Sequence, residues 1–301
     1  MPSFLSAVSA LRAAAEPTRL RLLALLARAE LTVGEICDVI GQSQPRVSRH
    51  LKLLCDADLL DRFREQLWVY YRVPAAGSAH DTVTQLLALV DENDDVLRRD
   101  RRRMEEVIAE RGRRAADELV GERTETSEFI DGAVLEELAA EPIGALLDVG
   151  TGSGHILKLL GGKATRAVGI DISSDALRVA RTKVHSAGLS HCELQRGDMY
   201  DLPFAAPLFD TAVAERVLAE AERPVLALAE ICRTLKHGGR AIVIEDFDAL
   251  IAASAANPIA TLREWFNKAG LEISRVRPVD TEAGHLLLAI GRRIAHSTVA
   301  A

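Results

Sequence analysis

The chain has 301 residues, 48% of them hydrophobic and 27% charged, and its 37 Lys+Arg against 44 Asp+Glu leave a formal charge of −7. That length and balance fit two ordinary globular domains with real cores, and no apolar run approaches the ~20 residues of a membrane helix. The opening stretch MPSFLSAVSALRAAAEPTRL has no basic segment ahead of its apolar part, so no signal peptide is expected, and four cysteines (Cys37, Cys55, Cys192, Cys232) without CxxC spacing argue against a zinc ribbon or a disulfide framework and fit a reducing cytoplasm.

In chain order, the first signals are helical. Phe4, Leu5, Val8 and Leu11 recur at helical spacing. In EPTRLRLLALLARAE, Pro17 stands where a first helical turn tolerates it, ahead of Leu20, Leu22, Leu23, Leu25 and Leu26. LTVGEICDVIG reads as a short helix ending at Gly41, and Ser43 is placed to cap the next helix, with Pro45 in its first turn. Within that helix Val47, Leu51 and Leu54 fall on one face. Arg49 and Lys52 then point away from the core, Arg46 and Ser48 flank them, and His50 lies near the apolar edge. LLDRFREQLWVYYRV follows and alternates like a two-strand hairpin, with Arg62, Arg64 and Arg72 along it.

A helix-turn-helix that lays its second helix in the major groove needs this pattern: an apolar inner face, a basic and hydroxyl outer face, and a nearby backbone clamp. The candidate DNA-contacting residues are Ser43, Gln44, Arg46, Ser48, Arg49 and Lys52, with Arg62 and Arg64 on the wing. Residues 1–74 carry ten Lys/Arg and eight Asp/Glu while residues 121–301 carry 19 and 25, so the acidity belongs to the second half. The plainer alternative is an exposed helix with solvated charges.

EPTRLRLLALL, the capped turn, SRHLKLL and a wing ending in VYYRV together resemble the ArsR/SmtB family of bacterial repressors over about residues 10–75. The resemblance implies a dimeric reader of operator DNA. A sharper rival is the winged helix of some small-molecule O-methyltransferases, which serves only dimerisation and lid-building. Members of the repressor family commonly carry Gly where this chain has Asp58 and Gln66; Asp tolerates left-handed geometry, whereas Gln66 sits less easily at a wing tip. The family's metal sensors use a Cys pair in the helix before the reader or Asp/His pairs on the last helix. Here EICDV offers Cys37 alone, and His80 has no second histidine in the helix after it, so no metal site is expected.

Residues 79–118 lack Pro, have one Gly (Gly112), and place Val83, Val90, Leu97 and Met104 seven apart. This predicts one long amphipathic helix of partial heptad character, interrupted in its second register by Asp94 and Arg101. In the repressor family the corresponding helix helps to build the dimer. The run RRDRRR at 98–103 could touch DNA phosphates, but reads first as a solvated face with i,i+4 pairs to neighbouring acids.

The most informative stretch is ALLDVGTGSGHILKLL at 145–160: a buried strand, Leu146–Val149, running into Gly150, Gly152 and Gly154 and then a helix. Such a loop lets the backbone turn sharply and approach a ligand. AVGIDIS supplies a second strand ending in Asp171, placed to accept from ribose hydroxyls. CELQRGDMYDLP, FDTAVAERVL and LKHGGRAIVIEDF supply three more strands, and LREWFNKAGLEISRVRPVD with GHLLLAIGRR a helix and two closing strands. Strands alternating with helices mean a parallel α/β sheet. The pattern resembles the class I S-adenosylmethionine (SAM)-dependent methyltransferases over about residues 143–293. That resemblance implies a cofactor site in which Gly150, Gly152 and Gly154 pass under the methionine moiety, Asp171 holds the ribose, Ile172 flanks adenine, Asp198 accepts from the adenine amine with Met199 stacking nearby, and Glu215 lines the methionine end; Asp148 and Thr151 are further cofactor-binding candidates of the same loop.

No catalytic residue or methyl acceptor is specified. The NPPY-like run of DNA- and protein-amine enzymes is replaced by AERVLAEAE, and Glu215, Glu245 and Asp246 are carboxylates of a kind common at strand ends. The expected layout is a winged helix-turn-helix over residues 1–76, a connector and dimerisation helix over 77–120, and a Rossmann-like methyltransferase domain over 121–301. The expected function is a cytoplasmic, dimeric regulator that binds double-stranded operator DNA, with no membrane partner, and senses SAM or its demethylated product S-adenosylhomocysteine (SAH). The alternative is an active small-molecule methyltransferase with a DNA-binding or merely dimerising winged helix.

Overall fold

The computed structural model describes residues 4–65, 68–118, 127–139, 141–254, 257–281 and 284–294. It divides into two units, one of Met1–Glu118 with Arg181–His191, the other of Leu119–Ala180 with Cys192–Ala301.

The first unit contains helices α1 (Phe4–Ala14) and α2 (Pro17–Leu26), strand β1 (Leu31–Thr32), helices α3 (Val33–Ile40) and α4 (Gln44–Asp56), strands β2 (Asp61–Glu65) and β3 (Trp68–Arg72), and helices α5 (Ser78–Leu87) and α6 (Asp95–Glu118). Local chemistry sets the boundaries. Glu16 accepts from Arg19 N–H at 2.9 Å to open α2, with Pro17 in the first turn. Thr32 and Glu35 form a reciprocal capping box on α3, which stops at Gly41 with φ 72°. Ser43 occupies the cap position of α4, but through its backbone carbonyl, which accepts from Val47 N–H at 3.0 Å; its hydroxyl makes no capping bond. Asp58 stands at φ 55°, the left-handed geometry that glycine would adopt more cheaply. The three strands pair antiparallel in the order β1-β3-β2, with Phe63 opposite Tyr70. Gln66 and Leu67, where the wing turns, lie outside the described residues.

Leu22, Leu23, Leu31, Ile36, Val39, Val47, Leu51 and Leu54 form one buried core, joined by Val83 of α5 and by Met104 and Ile108 of α6. The connector therefore belongs to the first unit's core. It is not one helix. Residues 88–94 break it, because Asp91 accepts from Asn93 N–H at 2.9 Å and Asp94 from Val96 N–H at 2.8 Å, local bonds that compete with the helical ladder and start α6 afresh. In the basic run Arg98, Arg99, Arg102 and Arg103 are exposed as expected, and Asp100 is the exception. Arg98 and Arg102 pair in solvent with Asp95 and Glu106, but Asp100 is buried and takes a bidentate fork from Arg21 at 2.6 and 2.7 Å.

A second buried ion cluster lies in this unit. Arg181 donates to Glu30 at 2.7 Å and to Glu65 at 2.5 and 3.1 Å, and its guanidinium lies 4.2 Å over the Tyr70 ring. Arg72 shares Glu30 at 2.8 Å and lies over the Phe63 ring. Arg72 is thus turned inward, away from the role of a wing arginine that alternation along the hairpin suggested.

The second unit has helix α7 (Ser127–Leu138), strand β4 (Ala145–Val149), helix α8 (His155–Leu160), strand β5 (Arg166–Asp171), helix α9 (Ser174–Ser186, whose last residues group with the first unit), strands β6 (Cys192–Arg196) and β7 (Phe209–Glu215), helix α10 (Pro224–Thr234), strand β8 (Leu235–Asp246), helices α11 (Phe247–Ala253) and α12 (Pro258–Lys268), and strands β9 (Leu271–Thr281) and β10 (Gly284–Arg293). The sheet order is β6-β5-β4-β7-β8-β10-β9. β4 through β8 run parallel, and β10 is antiparallel to both its neighbours. The order reverses between β4 and β7. Val149 stands opposite both Ile170 and Ala214, so three strand ends finish side by side there, the crevice in which open α/β sheets hold ligands.

Candidate cofactor cradle and DNA-reading face

On α4 the pattern read from sequence holds at the level of exposure. Val47, Leu51 and Leu54 are fully buried, while Ser43, Gln44, Arg46, Arg49 and Lys52 are exposed and Ser48 is half-buried. Arg62 and Arg64 are exposed on β2, and alternate with the inward Phe63 and Glu65. His50 turns toward Glu16 at 3.5 Å, which takes it off the outer face. Cys37 is half-buried and packed against the core, and burial, then Asp38, pushes its thiol pKa up. Among the described residues no group of three His, Cys, Asp or Glu is arranged to hold a metal.

In the second unit the loop after β4 carries Gly150 at φ 71° and Gly152 at φ 50°. A Cβ on Gly150 would collide with the Val217 side chain; one on Gly152 would meet nothing closer than 4.0 Å and would project into open space. The first glycine lets the loop press on the turn after β7, and the second leaves open room beside the loop. The loop's backbone donors are largely used within the protein. Gly150 and Thr151 N–H both donate to Ile170 carbonyl at 2.8 and 3.0 Å, and Gly152 N–H donates to Asp171 Oδ2 at 2.8 Å. The cradle is therefore shaped by these bonds, and less of its donor capacity faces a ligand than a glycine loop suggests by itself.

Asp171 ends β5, and its other oxygen accepts from Ser173 N–H at 2.8 Å, which leaves lone pairs on both oxygens. Ile172 beside it is 64% exposed, a large apolar side chain held out at the strand end. Gly197 N–H donates to Asp171 carbonyl at 3.0 Å and brings Asp198 and Met199 to the same rim; Asp198 is exposed and orders its own turn by accepting from Tyr200 N–H at 2.9 Å. Asp148 is buried beneath the loop, accepts from Thr151 Oγ at 2.5 Å, and burial pushes its pKa up to about 7. Glu245 is likewise buried and pushed to about 7; it accepts from Val217 and Leu218 N–H at 3.0 and 2.6 Å, so it holds the turn after β7 and is no free base. Asp246 pairs with Arg216 at 3.3 Å, and Glu215 is the last residue of β7.

Glu215 has a partner that sequence reasoning did not single out. His155, the first residue of α8, has Nδ1 at 2.9 Å from Glu215 and Nε2 at 2.7 Å from Asp131 of α7. Burial would lower its pKa, but the two carboxylates prevail and raise it. In the sequence His155 is one histidine at a helix start, 24 residues from Asp131 and 60 from Glu215, so no local spacing marks the trio.

The fold is a winged helix-turn-helix followed by a class I methyltransferase-like, mostly parallel seven-stranded sheet. Residues 16–62 match the family described as "Bacterial regulatory protein, arsR family", and residues 142–286 match "Methyltransferase domain". The arsenic resistance transcriptional regulator ArsR1 of Pseudomonas putida is 39% identical over 95 residues, 31% of this chain and 73% of that protein. A UbiE ubiquinone/menaquinone biosynthesis C-methyltransferase of Syntrophotalea carbinolica is 34% identical over 115 residues, 38% of this chain and 48% of that protein. A SAM-dependent methyltransferase structure from Aquifex aeolicus aligns with a TM-score of 0.48 and 20% identity, over 61% of this chain and 98% of that one. Three further relatives have only 37%, 51% and 62% of their lengths spanned by the chain. The chain belongs to the arsR family of bacterial regulatory proteins and carries a methyltransferase domain after its DNA-binding one. No helix among the described residues is long and apolar enough to cross a membrane.

Proposed function

We propose that this protein is a cytoplasmic transcriptional regulator that binds double-stranded operator DNA as a homodimer and uses its methyltransferase-fold unit to sense SAM or SAH. The observation that carries the sensing half is the set of groups on one crevice: Gly152 open to space, Asp171 with lone pairs left on both oxygens, exposed Ile172, and Asp198 on the adjoining rim. These suit a nucleoside with an attached amino acid. Asp171 would hold the ribose hydroxyls, Ile172 and Met199 the adenine faces, Asp198 its amine, and Asp148, Thr151 and Glu215 would surround the methionine end. The reading half rests on exposed Arg49 and Lys52 on the face of α4 opposite its core residues, exposed Arg46 flanking them, and Arg62 and Arg64 exposed on β2. The acidic balance of the second half suits a domain that does not itself track phosphates.

A regulator of this kind works only if its ligand binds the DNA-competent and DNA-incompetent states with different affinity. The test is titration calorimetry with SAM and with SAH, on free protein and on protein bound to a duplex selected from a random pool. Affinity for one of them that changes at least severalfold with DNA supports the sensor. Equal affinities in both states would overturn it, since such a ligand shifts nothing. A second reading is favoured by the methyltransferase names among the matching relatives: methyl transfer to a small molecule, with the winged helix accessory. Multiple turnovers on a defined acceptor would establish it.

A further inference from the structure

We propose that His155, held between Glu215 and Asp131, is the residue that sets how strongly the cradle prefers the sulfonium ligand SAM over the neutral sulfur of SAH. The inference rests on the reading that the crevice at the β4 and β7 ends holds these ligands. Its geometry is plain: both ring nitrogens face carboxylate oxygens, at 2.9 Å on the Glu215 side and 2.7 Å on the Asp131 side. A neutral imidazole has one N–H and one lone pair, so it could satisfy only one carboxylate and would aim its lone pair at the other. The imidazolium donates to both. The trio then carries one positive and two negative charges, a net negative charge centred on His155, the residue that directly follows the glycine loop.

The two ligands share the adenosine and the zwitterionic amino acid, so those parts cancel in a ratio of affinities. What remains is a methyl group and one positive charge on sulfur, and of these only the charge responds to a change of charge in the lining. That charge is attracted by Glu215 and Asp131 and repelled by His155. His155 therefore works by opposition: it neutralises part of an acidic lining that would otherwise favour the cationic ligand more strongly. A sensor meant to respond to the proportion of two ligands needs such a moderated preference, because a site that bound one overwhelmingly would be blind to the other.

The structural and electrostatic roles separate by sign. His155→Gln removes the positive charge and keeps a hydrogen-bonding side chain; the SAM:SAH affinity ratio should rise, by about three- to tenfold for a unit charge at this range in a half-exposed site. Glu215→Gln and Asp131→Asn each remove a negative charge, and at about pH 5.5, below the ordinary imidazole pKa of about 6.5, His155 keeps its proton on the remaining carboxylate, so there the ratio should fall by a similar factor. Both affinities are measured by calorimetry for each variant, with circular dichroism melting to confirm folding. Opposite movement of the ratio in the His155 and acidic variants supports the proposal. A lost packing contact would weaken both ligands together and leave the ratio alone, so ratios that stay fixed, or that move the same way in all three variants, overturn it while the cradle reading stands. Failure of the wild-type protein to bind either ligand overturns both.

Discussion

Gly152 donates its backbone N–H to Oδ2 of Asp171 across 2.8 Å, so the loop that shapes the cradle and the carboxylate that would hold a ribose are fixed by one bond. Asp171→Ala removes both at once. The expected result is loss of SAM and SAH binding by more than tenfold, since charge-assisted hydrogen bonds contribute roughly 1.5–3 kcal/mol each. Asp171→Asn keeps an acceptor oxygen and should retain part of the affinity. Calorimetry on the two variants checks this, and an alanine variant with wild-type affinity would place the ligand elsewhere.

The DNA face allows a cleaner separation of folding from binding. Arg49 and Lys52 are exposed on α4, opposite the buried Val47, Leu51 and Leu54, so replacing both with Ala should leave the melting temperature within a degree or two. Operator affinity should fall. A side chain that reads a base would cost ~1–3 kcal/mol and relax specificity, whereas one that meets a phosphate would reduce the salt slope by about one. Anisotropy titrations at several salt concentrations distinguish these two cases. A double variant that binds like wild type would favour the accessory role for the winged helix.

Much of this was legible in sequence, for reasons that differ by element. The sheet strands read clearly because β4, β5 and β7 are buried on both faces and so form short apolar runs, and Gly150 and Asp171 mark their ends. The outer face of α4 read clearly from helical period alone. The connector misled because apolar spacing continues through residues 88–94, while the break is made by Asp91 and Asp94 bonding their own backbone, a local competition that hydrophobic period does not register. Asp100, Arg181 and His155 were illegible for another reason. Their partners, Arg21, Glu65 and Glu215, lie 79, 116 and 60 residues away, so only the fold makes them pairs.

The Arg181 cluster leads to a stability prediction. Arg181, Glu30 and Glu65 are almost wholly removed from solvent, and the attraction of Glu30 and Glu65 raises the Arg181 pKa against the cost of its burial. Arg181→Leu would leave Glu65 buried without the Arg181 fork, while Glu30 keeps its pair with Arg72. Breaking a buried pair from one side costs ~3–5 kcal/mol, whereas replacing all the partners by packed neutral groups costs much less. The single variant should therefore unfold at markedly lower denaturant, and adding Glu65→Gln should recover part of the loss. Urea titrations followed by circular dichroism check both; a single variant as stable as wild type would mean the cluster contributes no net stability.

Two buried carboxyls give the pH dependence a definite sign. Asp148 and Glu245 are each raised to about 7, in both cases chiefly by burial, opposed by hydrogen bonds from Thr151 to Asp148 and from the Val217 and Leu218 backbone to Glu245. In the unfolded chain such groups lose their protons near 4, but the folded protein keeps them until about 7. Between those values the folded state binds more protons than the unfolded one, so stability falls as pH rises through that window and levels off above it. This is the reverse of the usual salt-bridged carboxylate. Asp148→Asn keeps an oxygen for Thr151 and cannot ionise, so it should flatten the slope between pH 5 and pH 7 and gain most relative to wild type at pH 8. Denaturant midpoints at pH 5, 6, 7 and 8 for both proteins measure the effect. A wild-type midpoint that climbs steadily from pH 5 to pH 8, unchanged in form by Asp148→Asn, would show that the carboxylate is already ionised beneath the loop at pH 5.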